Sequence, residues 1–245
     1  MKEFFDKAFT KIAVLGSGTM GGQIAAHFAN LGFETLMFDT SEEALSKSIA
    51  MMKKLKPTPF ASPSVPGLLK TSTYENLDAL SSCDFIIESI VENLDIKKKL
   101  FKQISPHVNE NAILVTNTSG LSIQKIAESA PDSLRSRIFG VHFFNPPRYL
   151  PLVELIRTSY SDESLLIKAE GFITSALGKE VVYAKDSPAF VANRIGVFSF
   201  MAVLRHAENF NLSADTVDAL TGKRIGSSQI LCSPTPTDAT EAMLW

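Results

Sequence analysis

Only two cysteines, Cys83 and Cys232, occur in a chain of 245 residues, and they lie far apart. That spacing suits neither a disulfide framework nor a metal cluster, so reduced thiols in a cytoplasmic, metal-free protein are expected. An excess of one charge is also missing. Against 24 Lys and Arg stand 26 Asp and Glu, a balance that argues against a nucleic-acid partner. The longest apolar run, "AFVANRIGVFSFMAVL" from Ala189 to Leu204, is short and broken by Asn193 and Arg194. It reads as a buried helix, not a membrane span. The N-terminal "MKEFFDKAFTK" mixes charges among its apolar residues, unlike a secretory signal. What is present is the composition of an ordinary soluble protein, 45% hydrophobic and 20% charged, long enough for one large domain or one domain and part of another.

The first informative stretch is "KIAVLGSGTMGGQIAAHFANLGFETLMFD", Lys11 to Asp39. Ile12 to Leu15 is a continuous apolar run, as in a parallel strand covered on both faces. It ends in Gly16-Ser17-Gly18-Thr19-Met20-Gly21, a G-x-G-x-x-G that opens a helix closed by Gly32. Thr35 to Phe38 is a second strand, and Asp39 stands at its end. Gly16 makes the tight turn, Gly18 lets a pyrophosphate reach the backbone, and Gly21 lets helix and strand pack closely. The helix N-terminus around Thr19 and Met20 supplies N–H groups and positive dipole for the phosphates. Asp39 can accept hydrogen bonds from a ribose diol but would repel a 2′-phosphate, so NAD is favoured over NADP. His27, mid-helix, reads as a packed or interface histidine.

Strands and helices go on alternating. Helices are expected over Ser41 to Leu55, Asp95 to Ile104, Ser122 to Ala130 and about Asp162 to Leu177. Strands are expected over Asp84 to Ser89, Ala112 to Ser119, Ile138 to Phe144, Leu152 to Ile156 and Val181 to Lys185. The segment Lys56 to Gly67, with four prolines, must be a loop or arm. The fold class is therefore α/β, a Rossmann-type doubly wound, mainly parallel sheet followed by a partial all-helical C-terminal domain. A boundary is placed near Lys185, giving a dinucleotide-binding domain over 1–185 and a helical domain from 186. The latter would start with a long apolar helix, Asp186 to Asn209. From about 227 the sequence is rich in Ser, Thr and Pro and reads as a disordered tail.

Ligands in open α/β sheets bind at the carboxyl ends of the strands. Those positions hold Gly16, Asp39, Glu88 to Glu92, Asn117 to Ser119 and His142 to Asn145, which describe one cleft. Acidic capping of a helix would equally explain Glu88, Glu92 and nearby Lys97, and turn chemistry would explain Ser119. In "FGVHFFNPPRYLPLVELI", Asn145-Pro146-Pro147 stops a strand, and Leu152 to Ile156 can run back beside it. Glu154 would then reach His142. A carboxylate on one imidazole nitrogen fixes the tautomer and leaves the other nitrogen to take a proton. A core histidine satisfied by a neighbouring glutamate would look the same. Position downstream of a nicotinamide site favours a general base.

Five stretches in order, "GSGTMG", "ESIVENLDIKKKLF", "NTSGLSI", "GVHFFNPPRYLPLVEL" and "KDSPAFVANR", make the sequence similar to the 3-hydroxyacyl-CoA dehydrogenase family over nearly all of Lys11 to Gly226. The resemblance implies NAD-dependent oxidation of a 3-hydroxyacyl-CoA to a 3-ketoacyl-CoA in fatty acid β-oxidation, with His142 as base and Glu154 as its partner. It implies that Ser119 and Asn193 bond the reacting oxygen, that Glu92, Lys97, Ser119 and Asn145 line the NAD site, and that the full-length family forms a homodimer. "GKRIG", Gly222 to Gly226, is similar to versions fused to an enoyl-CoA hydratase domain. Family members usually carry Gly where Ala189 stands, a change that a helix would tolerate. The family's CoA-binding Ser and Lys have no match, and the end of the chain does not resemble the family's further helices, so the chain reads as C-terminally truncated. Two rival expectations follow: a catalytically impaired NAD-binding fragment, and a dehydrogenase of a small hydroxy acid without CoA.

Overall fold

A computed structural model describes residues 9–221. Its eight strands are β1 (Lys11–Leu15), β2 (Glu34–Asp39), β3 (Leu69–Thr73), β4 (Phe85–Glu88), β5 (Ile113–Thr116), β6 (Ile138–Phe143), β7 (Leu152–Ile156) and β8 (Glu180–Ala184). They form one sheet in the order β3-β2-β1-β4-β5-β6-β7-β8. All neighbouring pairs are parallel except β6 with β7, which is antiparallel.

Alternation along each strand sends side chains into two cores. On β1, Ile12 and Val14 join one apolar cluster while Ala13 and Leu15 join the other. The first cluster packs helices α1 (Thr19–Asn30), α2 (Glu42–Met52) and α6 (Glu163–Ser175); the second packs α3 (Leu94–Ile104) and α4 (Ile123–Ala127). Each fully buried aliphatic side chain contributes about 1.5–3 kcal/mol. A charge at Val14, which is wholly buried, would therefore break the sheet centre before its edges. The strand order reverses between β1 and β4, so the crevice of a doubly wound sheet opens at their carboxyl ends.

Several expectations need correction. Strand β3 is absent from the sequence reading. It is a short edge strand, "LKTST", with only Leu69 and Ser72 buried, and its apolar signal is correspondingly weak. Ser122 to Ala130 resolves into α4, and a second short helix, α5 (Asp132–Arg135), follows it. The helix expected from Asp186 begins only at Ala192, as α7 (Ala192–Asn209). Before it, Ala189 and Phe190 take left-handed φ of 61° and 45°. Ala189 is thus not helical, and tolerance by a helix does not apply. The family's usual glycine suits that φ without a Cβ penalty of about 1–2 kcal/mol.

The described residues fall into two compact units dividing between Pro188 and Ala189. Asp186 belongs with the first. Its carboxylate accepts hydrogen bonds from the N–H groups of Ile123 and Gln124 and from the Ser122 hydroxyl, at 2.8–3.0 Å, capping α4. In the second unit α7 is followed by α8 (Ala214–Thr221). Most of α7 is not buried: Phe198 is 74% exposed and Ile195 61%, contrary to the buried helix expected. The tail expected from about 227 lies outside the described residues. Among the described residues no helix is long and apolar enough to cross a membrane.

Candidate active site

The turn after β1 is shaped by close approaches. At Gly16, with φ of 99°, a Cβ would sit 2.5 Å from the Ser89 carbonyl oxygen, and at Gly21 it would sit 2.0 Å from the Gly16 carbonyl oxygen. Gly18 is the opposite case. A Cβ there would meet nothing within 4 Å, so the backbone is approachable from outside. Gly18 also stands at the N-cap of α1 with no side-chain cap bond, leaving the helix N-terminus to attract an anion.

Asp39, at the end of β2, braces that turn. One carboxylate oxygen accepts from the Ser17 amide at 2.8 Å and the Ser17 hydroxyl at 2.5 Å; the other accepts from the Thr40 amide at 2.7 Å. Burial pushes the Asp39 pKa up, but the bonds from Ser17 and Thr40 outweigh it and hold it below the usual value. An ionised carboxylate beside an open glycine turn and an uncapped helix end fits a dinucleotide: phosphates at Gly18 to Met20, ribose hydroxyls at Asp39.

Two carboxylates organise the next strand ends. Glu88 closes β4 and is fully buried, with its oxygens bonded to Lys97 Nζ at 2.6 Å, the Thr116 hydroxyl at 2.5 Å and the Ile90 amide at 2.8 Å. Asn93 caps α3 with its side chain, which places Lys97 on the helix's first turns. Lys97 is 1% exposed and also lies 3.4 Å from Glu92. The sequence reading put Lys97 on the lining of the NAD site; its ammonium is buried between Glu88 and Glu92, and its charge helps to keep Glu92 ionised. Glu92 in turn accepts from the Thr118 hydroxyl, the Ser119 amide at 2.9 Å and the Gly120 amide at 3.2 Å. Burial raises its pKa, yet these bonds and the Lys97 charge bring it below the usual value. Ser119 therefore sits on a turn held by an ionised carboxylate.

His142 and Glu154 face each other across the antiparallel pair β6–β7. The imidazole Nδ1 is 2.7 Å from Glu154 Oε2, and both side chains are buried, Glu154 completely. A carboxylate beside Nδ1 favours the tautomer that carries its proton on that nitrogen. The Phe144 ring packs 4.5 Å from the imidazole, centre to centre. The same strand is tied to its neighbours by side-chain amides. Asn117 Oδ1 accepts from the Phe143 amide at 2.8 Å, joining β6 to the turn carrying Ser119. Asn145 Oδ1 accepts from Gln23 Nε2 at 3.0 Å, joining it to α1. Below, Lys179 Nζ donates to the carbonyls of Pro147 and Leu150 at 2.5 and 2.8 Å.

The structure thus gathers the glycine turn, Asp39, Glu92, Ser119, His142, Glu154 and Asn145 on one body, along and just beyond adjacent strands. Asn193 lies on α7, in the second unit. Gln23 and Lys179 escaped the sequence reading. Gln23 stands four residues after Thr19 on the helix opened by the glycines, a weak cue; Lys179 had none.

A mainly parallel sheet with a dinucleotide turn at the switch point between β1 and β4 defines the class of nicotinamide-dinucleotide-binding α/β proteins. Within that class the model of the 3-hydroxyacyl-CoA dehydrogenase NAD binding domain matches residues 11–187. The chain is 38% identical, over 242 residues, to a probable 3-hydroxyacyl-CoA dehydrogenase of Bacillus subtilis, covering 90% of this chain and 31% of that one. It is 32% identical to a 3-hydroxybutyryl-CoA dehydrogenase of Mycobacterium tuberculosis, covering 86% of this chain and 76% of the relative. The crystal structure of M. tuberculosis FadB2 superposes with a TM-score of 0.82 at 28% identity, covering 96% of this chain and 85% of that one. The chain belongs to the 3-hydroxyacyl-CoA dehydrogenase family and carries its NAD-binding domain. It spans about a third of the Bacillus relative's length.

Proposed function

We propose that the chain oxidises a 3-hydroxyacyl-CoA to the 3-ketoacyl-CoA, a step of fatty acid β-oxidation, with NAD as acceptor. The observation that carries this reading is the buried 2.7 Å contact between His142 Nδ1 and Glu154 Oε2, on a strand bonded to the dinucleotide helix. In this reaction the 3-hydroxyl proton passes to His142 Nε2. Glu154 holds the ring's tautomer and offsets the charge of the imidazolium. The chemistry supplied by bound NAD is acceptance of the hydride leaving C3. Ser119, on the turn that Glu92 holds, donates to the oxygen as it becomes a carbonyl. A well-placed donor of this kind contributes about 2.7–4 kcal/mol.

The test is NADH formation by the purified chain from 3-hydroxybutyryl-CoA, run beside 3-hydroxybutyrate lacking CoA. Turnover of the thioester alone supports the proposal. Turnover of the free acid at the same rate would replace the substrate class. Binding of NAD with no turnover of either would remove the catalytic reading.

A further inference from the structure

Gln23 is buried, at 4% exposure, on the first turns of α1. Its Nε2 lies 3.0 Å from the Thr19 carbonyl oxygen and 3.0 Å from Asn145 Oδ1. The chemistry of these three groups leaves one arrangement. A backbone carbonyl can only accept, so the Gln23 atom beside Thr19 must be the nitrogen. That nitrogen can only donate, so the Asn145 atom beside it must be the oxygen. Both amide hydrogens of Gln23 are then used, one on the glycine turn and one on the residue that ends the histidine strand. Asn145 is half-buried, and its Nδ2 remains as its hydrogen-bond donor.

We propose that Gln23 is a positioning residue: it fixes the Asn145 amide so that this residue offers the dinucleotide an N–H and not a carbonyl. The inference rests on Asn145 belonging to the NAD site. It explains why a polar side chain is buried near the start of a helix where the following Ile24, Ala25 and Ala26 are apolar and wholly buried. A mere filler at that place would be hydrophobic.

The experiment is a double-mutant cycle read by NADH fluorescence titration on Gln23→Met, Asn145→Ala and the pair. Each single change should weaken NADH by about tenfold, the loss of one hydrogen bond. Because Gln23 acts through Asn145, the double variant should bind no worse than Asn145→Ala alone. Losses that multiply in the double variant, or Gln23→Met binding NADH as the wild type does, would overturn the inference. Gln23→Glu serves should Met fail to fold. Its carboxylate can only accept, so Asn145 must turn its nitrogen inward and present oxygen, and NADH affinity should fall at least as far. Wild-type affinity in that variant would refute the proposal. Failure of the wild-type chain to bind NADH would instead sink the dinucleotide assignment itself, and the inference with it.

Discussion

Replacing Glu154 by Gln keeps the shape of the buried pair and removes its charge. Glu154 has no solvent exposure, and its oxygen is 2.7 Å from His142 Nδ1, so water cannot take its place. A hydrogen bond to an ionised acceptor is worth about 1.5–3 kcal/mol, against about 0.5–1.5 for a neutral one. The difference, about 1–2 kcal/mol, falls on the step in which the imidazole becomes charged and corresponds to roughly 5–30-fold in rate. The amide adds a second effect. If it turns its NH2 toward Nδ1, the ring proton is forced onto Nε2, which then cannot accept the substrate proton. In the serine-protease triad that tautomer error costs about 10⁴ in kcat. Glu154→Gln should therefore lower kcat by about fivefold at least and up to about 10⁴-fold, with the NADH dissociation constant unchanged. Steady-state NADH production from 3-hydroxybutyryl-CoA, with a parallel NADH titration, measures both. Wild-type kcat in the variant would refute the reasoning, since the carboxylate would then be a packing group.

The glycine turn predicts a separation of effects. Gly18→Ala meets nothing within 4 Å and should leave denaturant stability near wild type while weakening NADH. Gly21→Ala places a Cβ 2.0 Å from the Gly16 carbonyl and should reduce stability as well; equal stability of the two variants would contradict the geometry. His27 predicts acid sensitivity. Burial first, then the charges of Lys179 and Arg148, push its pKa down from 6.5 to about 4, and its Nε2 has no hydrogen-bond partner among the described residues. The unfolded chain therefore takes up the proton first. The stability that rests on neutral His27 is complete above 6.5 and is lost as pH falls to about 4, an effect of about 3 kcal/mol. Urea midpoints measured across that range should drop in the wild type and flatten in His27→Leu; identical pH profiles would dispose of the effect.

The dinucleotide turn and the His142–Glu154 pair were legible because both depend on local signals. Glycines with an apolar strand before them and an acid at the end of the next strand leave few alternatives. Asn145-Pro146-Pro147 ends one strand, and the alternation of the next fixes which residue opposes His142. What was illegible depends on distance or on backbone angle. The Gln23–Asn145 bond joins residues 122 positions apart, and no pattern in either stretch announces the other. Lys97 reads as lining the NAD site or as part of a solvated helix N-terminus; its burial follows from Glu88, whose partner only the packing of α3 on β4 reveals. The stretch before α7 read as helix since apolar composition says nothing of φ, and Ala189 and Phe190 turn left-handed there.

The most direct test is His142→Gln on the intact chain, with hydride transfer from 3-hydroxybutyryl-CoA and NADH affinity measured on the same preparation. The expected result is NADH bound as tightly as in the wild type and turnover lower by several orders of magnitude. Turnover close to that of the wild type would contradict the account, because His142 would then not be the group that takes the proton.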